Sequence, residues 1–192
     1  MRTIVLASTS RYRRELLARL ELPFVTDKPD TDETPRAGEA PAETAIRLAE
    51  AKARAVAPRH PNALIIGSDQ VASVGDERFG KPGTVERAIA QLKQMSGRSI
   101  VFHTAVSLLD TNTGHASTLC VPTEVGFRHL SDAEIERYVS REMPLDCAGS
   151  AKSEALGITL LDHIRGDDPN ALVGLPMIAL CRLLREAGIQ TI

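Results

Sequence analysis

Two kinds of apolar patterning alternate along the first half of the chain, and they fix its class before any single residue is weighed. TIVLA, residues 3–7, is a short, almost wholly apolar run that reads as a buried strand. A helix follows over residues 10–20. After a loop, residues 42–57 give a second helix, and ALIIGSDQV, residues 63–71, a second strand. FGKPGT, residues 79–84, is a turn, and residues 84–96 form a helix closed by Gly97. Two longer β-rich stretches, 99–110 and 116–128, flank a turn at Asn112-Thr113-Gly114. SDAEIERYVSRE opens a further helix with a capping box, Ser131 and Glu134. GITLLDHIRG, residues 157–166, reads as a strand, and LPMIALCRLLREAG as a last helix ending at Gly188. Early strand–helix alternation with a hairpin inserted in the middle predicts one α/β domain over residues 1–192, built on a mixed sheet.

Composition narrows what such a domain binds. Net charge is −2, so no global field draws the chain onto nucleic acid or an anionic membrane, and any anion site must be local. Aromatic residues make up 3% and tryptophan is absent, which argues against a stacking platform for single strands. Cys120, Cys147 and Cys181 are odd in number and far apart, with no zinc spacing or disulfide framework. The apolar run near the N-terminus is too short for a signal peptide, and ALVGLPMIALC falls below the ~20 residues of a membrane span. These features lead to the expectation of a soluble, cytoplasmic protein without a nucleic-acid or membrane partner.

Against this background several charges stand in unexpected places. Arg11, Arg13 and Arg14 crowd the start of a helix, where the dipole disfavours cations. At 100° per residue, Arg13 falls on the face of Leu16, Leu17 and Leu20, whereas Arg11 points away into solvent. Arg13 therefore either snorkels over apolar surface or clamps an anion beside the hydroxyls of Ser8, Thr9 and Ser10. Lys52 lies within the stripe of Ala45, Leu48, Ala49 and Val56, and must snorkel, pair with a carboxylate or meet a ligand anion. Arg47, Glu50 and Arg54 take the other side and read as surface. In ALIIGSDQV, alternation sets Ile65, Gly67, Asp69 and Val71 on one face and Ile66, Ser68 and Gln70 on the other. Asp69 thus emerges at the end of an apolar strand, either as a turn cap or as part of a site. Residues 27–41 carry three prolines and five acids, a long loop of the kind that is often functional. GDERFGKP imitates a P-loop, but Pro82 stands where Ser or Thr would hold magnesium, and the strand–loop–helix context is missing. His60, His103, His115, His129 and His163 show no ligand spacing, and Asp168 and Asn170 read as turn or cap residues.

Taken together, ASTSRYRRELL, DETP, the lysine of EAKA, GSDQV, GKPG, CAGSAKSE and DPNALVGLP resemble the motifs of Maf-type nucleoside triphosphate pyrophosphatases. They occur in family order and span nearly the whole chain. SDQV and AGSAKSE are similar to the branch acting on 7-methyl-GTP rather than the branch acting on dTTP and UTP. The resemblance implies a Maf/ITPase-like fold, an elongated mixed sheet with helices and two lobes flanking a central nucleotide cleft. It also implies magnesium- or manganese-dependent cleavage between the α and β phosphates. By the same resemblance Asp69 is the catalytic acidic residue, and Glu33 joins it near the metal. Ser10, Arg13, Arg14, Lys52, Lys81 and Lys152 match phosphate-side positions, and Tyr12, Gln70 and Glu154 match positions tied to base choice. Two residues depart from the pattern: Tyr12 stands where tryptophan is frequent, and Ala155 where glycine is. A dTTP/UTP pyrophosphatase, or a nucleotide-binding regulator of cell division without turnover, is the alternative, and the final helix offers a surface for a homodimer.

Overall fold

The computed structural model describes residues 2–75 and 77–192. Its first strand, β1 (Thr3–Ala7), leads into α1 (Arg11–Ala18), which Ser10 caps by accepting a hydrogen bond from the Arg13 amide. The remaining elements are β2 (Phe24–Asp27), α2 (Pro41–Val56), β3 (Ala63–Val74), β4 (Glu77–Phe79), α3 (Val85–Met95), β5 (Ser99–Asp110), β6 (Ala116–Phe127), α4 (Asp132–Glu142), β7 (Leu161–Gly166) and α5 (Met177–Glu186). The sheet is ordered β2-β1-β3-β5-β6-β7, with β4 paired to β3. β1 runs parallel to β2 and β3, and the other pairs are antiparallel. This is the mixed α/β sheet that the strand–helix alternation predicts. No helix among the described residues is long and apolar enough to cross a membrane.

β3, β5 and β6 are each 12 residues long, about 40 Å at 3.3 Å per residue. Their length lets one sheet carry two separate cores. At one end Ile4 and Leu6 of β1, Leu16 and Leu17 of α1, and Leu180, Leu183 and Leu184 of α5 pack on Leu64 and Ile66 of β3. At the other end Ala72 of β3 and Phe102 of β5 meet Leu92 and Met95 of α3 and Ile135 and Tyr138 of α4. The stretch of β3 between these cores carries Ser68, Asp69 and Gln70.

Several sequence expectations need correction. The loop 28–40 is preceded by β2, and Glu77–Phe79 forms β4. Both are short strands at the sheet margin, too brief to show a period. GITLLDHIRG is only half strand: Leu156–Leu160 is a 3₁₀ turn and extended backbone begins at Leu161. Asp69 is in mid-strand, not at a strand end, because β3 runs on to Val74. It is β1 that ends there. The last β1–β3 pair is Leu6 with Ile66, so Asp69 lies three residues past its parallel neighbour while Ala105 still pairs it on the β5 side.

α2 lies directly on this part of β3. A Cβ built on Gly67 would come 2.0 Å from the Ala49 carbonyl oxygen and 2.9 Å from the Ala53 amide nitrogen. The missing side chain lets helix backbone rest on strand backbone, and Ala45, Ala49 and Ala53 keep the contact thin. Gly67→Ala must push the helix outward, and is expected to lower the unfolding free energy by about 2–3 kcal/mol, measured by urea denaturation. An unchanged denaturation midpoint would show that α2 is not seated this closely.

Candidate active site

Past the end of β1, the sheet, α1, α2 and the loop 28–40 enclose a cleft of about 830 Å³. Its centre follows from the close seat of α2. Lys52 is one turn beyond Ala49 and points along the same face, over Asp69. Lys52 Nζ donates to Asp69 Oδ1 at 2.6 Å and stands 2.6 Å from Glu33 Oε1 of the loop. Lys52 is 6% exposed and Asp69 7%, whereas the Glu33 side chain remains 58% exposed to the cleft. One buried ammonium thus gathers two carboxylates. Of the three choices open to Lys52 from its helical phase, it takes the ion pair. Burial works against the Glu33 charge, but Lys52, Lys81 and Arg13 together hold its carboxyl below the usual range.

Arg13 does face inward, as its helical phase predicts. Its Nε donates to the Gly174 carbonyl at 2.8 Å, an oxygen that also accepts from Ser68 Oγ at 3.0 Å. Burial lowers its pKa, while the charges of Asp69 and Glu33 oppose that shift, so a cationic guanidinium faces the two carboxylates. Ser10, Lys28, Arg78 and Lys81 line the same cleft. Arg14 is exposed on α1 and lies outside the lining, one residue and 100° away from Arg13.

A second cluster of side chains forms around Tyr12. Its hydroxyl is 3.5 Å from Asp146 Oδ2, and the Arg11 guanidinium lies over its ring, 4.7 Å from the centroid. Arg11 is exposed, as expected, but it borders the cleft and does not point away from it. Asp146, Cys147 and Glu154 line this region, and burial pushes the Cys147 thiol up to about 12. Lys152 is buried behind the wall. Its Nζ donates to the Glu142 carbonyl at 3.2 Å and lies 3.7 Å from Asp146. Burial opposes its charge, but Tyr12 and Asp146 raise its pKa overall. Lys152 therefore belongs to the Tyr12 cluster and not to the Lys52 cluster. Gln70 lines the cleft with its amide nitrogen tied to Thr104 and to the carbonyls of Ala171 and Leu172.

Sequence reasoning missed Asp146 and Arg78. Asp146 sits immediately before the CAGSAKSE stretch, just outside the motif that begins at Cys147. Arg78 lies within the rejected P-loop imitation. It donates to Thr44 Oγ1 at 2.9 Å and to the Glu39 carbonyl, tying β4 to the start of α2. Arg47, read as surface from its helical phase, braces the loop that carries Glu33: it clamps Glu39 at 2.5 and 2.8 Å and donates to the Thr34 carbonyl at 3.1 Å. Asp168 caps α5 as expected, accepting from the Ile178 amide at 2.6 Å.

A mixed sheet crossed by a cleft, with cations around a carboxylate pair at one cluster and an aromatic ring with two acids at another, defines an anion-binding α/β protein. The chain belongs to the Maf family: the family model described as Maf-like protein matches residues 3–187. It is 64% identical over 186 residues to a 7-methyl-GTP pyrophosphatase of Aromatoleum aromaticum, covering 97% of this chain and 96% of that protein. It is 57% identical over 190 residues to a 7-methyl-GTP pyrophosphatase of Thiobacillus denitrificans, covering 99% and 94%. A Bordetella pertussis protein of the same name is 55% identical over 190 residues, covering 97% and 93%.

Glu39 offers a pH test of the loop anchor. Its hydrogen bonds to Arg47 hold the carboxyl well below the ordinary 4.5. A carboxyl depressed in the folded state contributes stability that is complete above its unfolded pKa and is lost as pH falls through the folded one. Glu39→Gln should therefore be less stable than the parent at pH 7, with the gap narrowing only below about 4.5. Denaturant titrations of both proteins at several pH values measure this; a gap independent of pH would refute the ionic anchor.

Proposed function

We propose that this chain is a nucleoside triphosphate pyrophosphatase that converts 7-methyl-GTP to 7-methyl-GMP and diphosphate. The observation that carries the reading is the Lys52–Asp69–Glu33 centre, which opens into the same cleft as Tyr12 and Glu154. The chemistry is coherent from the residues upward. Lys52, Arg13 and Lys81 attract the phosphate chain and Asp69 and Glu33 repel it, so the two carboxylates make sense only with a further cation. Among the described residues no third His, Cys, Asp or Glu joins them. Two carboxylates converging on one point suit magnesium or manganese completed by substrate phosphates, rather than an all-protein cage. A bound divalent cation there would polarise a phosphoryl oxygen and lower the pKa of a water. Asp69, fixed by Lys52, would orient that water and take its proton. Lys52 and Arg13 would donate hydrogen bonds to phosphate oxygens as charge builds during displacement at the α phosphorus. The bond between the α phosphorus and the bridging oxygen breaks, and diphosphate leaves.

Tyr12, Asp146 and Glu154 account for the base. A guanine ring presents N1–H and an exocyclic amine side by side, a match for a carboxylate accepting two hydrogen bonds. Methylation at N7 makes the ring cationic, which adds attraction to two acids and to an aromatic face. Three unpaired cysteines support a reducing, cytoplasmic setting, and the 59% exposed Ile178 on α5 supports a homodimer through that helix.

Diphosphate release from purified protein with magnesium, compared across 7-methyl-GTP, GTP, dTTP and UTP, tests the reading. The expected result is a clear preference for 7-methyl-GTP that a chelator abolishes and restored metal recovers. Asp69→Asn should lower kcat by about 10² or more, and Glu154→Gln should reduce the preference without removing turnover. Preference for dTTP or UTP would overturn the base assignment, and tight binding without turnover would favour the regulator.

A further inference from the structure

Gln70 leaves β3 on the face opposite Asp69, where three acceptors meet its amide. The two protons of its Nε2 are shared among Thr104 Oγ1 at 2.9 Å, the Ala171 carbonyl at 3.1 Å and the Leu172 carbonyl at 3.0 Å. Backbone carbonyls only accept, so the amide cannot be turned round: an oxygen in that place would face two oxygens and lose both hydrogen bonds. Thr104 is held in turn. It pairs with Gln70 across the β3–β5 register, it is fully buried, and its hydroxyl proton is committed to the Ala171 carbonyl at 2.9 Å. Only a lone pair is left for Gln70. Every hydrogen bond of the Gln70 side chain among the described residues runs through Nε2, which leaves Oε1 without a protein donor, and the side chain lines the cleft.

We propose that Thr104 is a specificity-positioning residue: with the Ala171 and Leu172 carbonyls it locks Gln70 so that the cleft meets a hydrogen-bond acceptor and never a donor. The proposal rests on the 7-methyl-GTP reading of the cleft and deepens it. Glutamine is ambivalent in solution, able to offer either end of its amide, and an unlocked Gln70 would adapt to a purine or a pyrimidine alike. Locked, its Oε1 joins the carboxylates of Asp146 and Glu154 as a third acceptor. A base with adjacent N–H groups, as on the hydrogen-bonding edge of guanine, satisfies such a wall. Uracil and thymine carry a single N–H between two carbonyl oxygens, and a fixed oxygen facing a carbonyl is repelled.

The test uses Thr104→Val, which keeps the shape and removes the hydroxyl, and Thr104→Ser, which keeps the hydroxyl. For Thr104→Val the KM for 7-methyl-GTP should rise roughly tenfold, about the worth of one hydrogen bond, with kcat little altered. The KM for UTP should stay the same or fall, so that the ratio of kcat/KM values drops. Thr104→Ser should keep the parent ratio. In parallel, exchange of the Gln70 side-chain amide protons, followed by NMR, should be slow in the parent and in Thr104→Ser and faster in Thr104→Val. An unchanged ratio in Thr104→Val, or equal losses on all nucleotides in both variants, overturns the proposal. Fast amide exchange in the parent overturns the lock whichever nucleotide is preferred. A parent that prefers UTP while its Gln70 amide exchanges slowly overturns the 7-methyl-GTP reading and supports the lock.

Discussion

A buried ammonium between two carboxylates organises this molecule. Lys52 sits on the apolar face of α2, where a lysine without partners would be costly, and Asp69 lies in the middle of a strand whose neighbours are apolar. Neither residue is tolerable alone. Their pairing at 2.6 Å holds only because Gly67 lets α2 rest on β3 without a side chain between them. Glu33 completes the group from a loop that has no regular structure of its own. The loop is steadied by Arg47 on Glu39, and the wall beside it by Arg78 on the Glu39 carbonyl. The close seat, the ion pair and the anchored loop each make sense only with the other two in place.

β3 then divides the chemistry by alternation. Asp69 faces α2 and Lys52, while Ser68 and Gln70, one residue on either side, face the loop 171–174. That loop answers with carbonyls. Gly174 receives both Ser68 Oγ and Arg13 Nε, and Ala171 and Leu172 receive the Gln70 amide. The Gly174 backbone, at φ 124°, has a conformation that residues with a side chain rarely adopt, and it aims this oxygen at Arg13. Arg13, Ser68 and Gln70 are thus fixed by one short segment just ahead of α5. The end of β1 at Ala7 leaves the space into which they point.

Much of this was legible from periodicity. The phase of α1 separates Arg13 from Arg11, the phase of α2 marks Lys52 as anomalous, and alternation in β3 puts Asp69 and Gln70 on opposite faces; Arg14, expected with Arg13 on the phosphate side, is exposed outside the cleft lining. What periodicity lacks is the partner. Nothing local says that Glu33 crosses to Lys52, that Arg47 holds a loop rather than solvent, or that Lys152 lies behind Tyr12. Those facts depend on chain segments brought together from far apart. β2 and β4, at four and three residues, carry too few alternations to stand out from loop. Sequence alone puts Asp69 at a strand end because the polar residues from Ser68 to Gln70 resemble a boundary. They interrupt the apolar run and leave the strand intact.

The most direct test of the central claim is a crystal structure with magnesium and an analogue of 7-methyl-GTP whose α–β bridge is a methylene. The account requires the α and β phosphates at the Lys52–Asp69–Glu33 centre, within reach of Arg13, and the methylated base among Tyr12, Gln70, Asp146 and Glu154. A nucleotide bound the other way round, with its base at Lys52 and its phosphates beside Tyr12, would contradict it. So would phosphates held without any contact to Asp69 or Glu33, directly or through the metal.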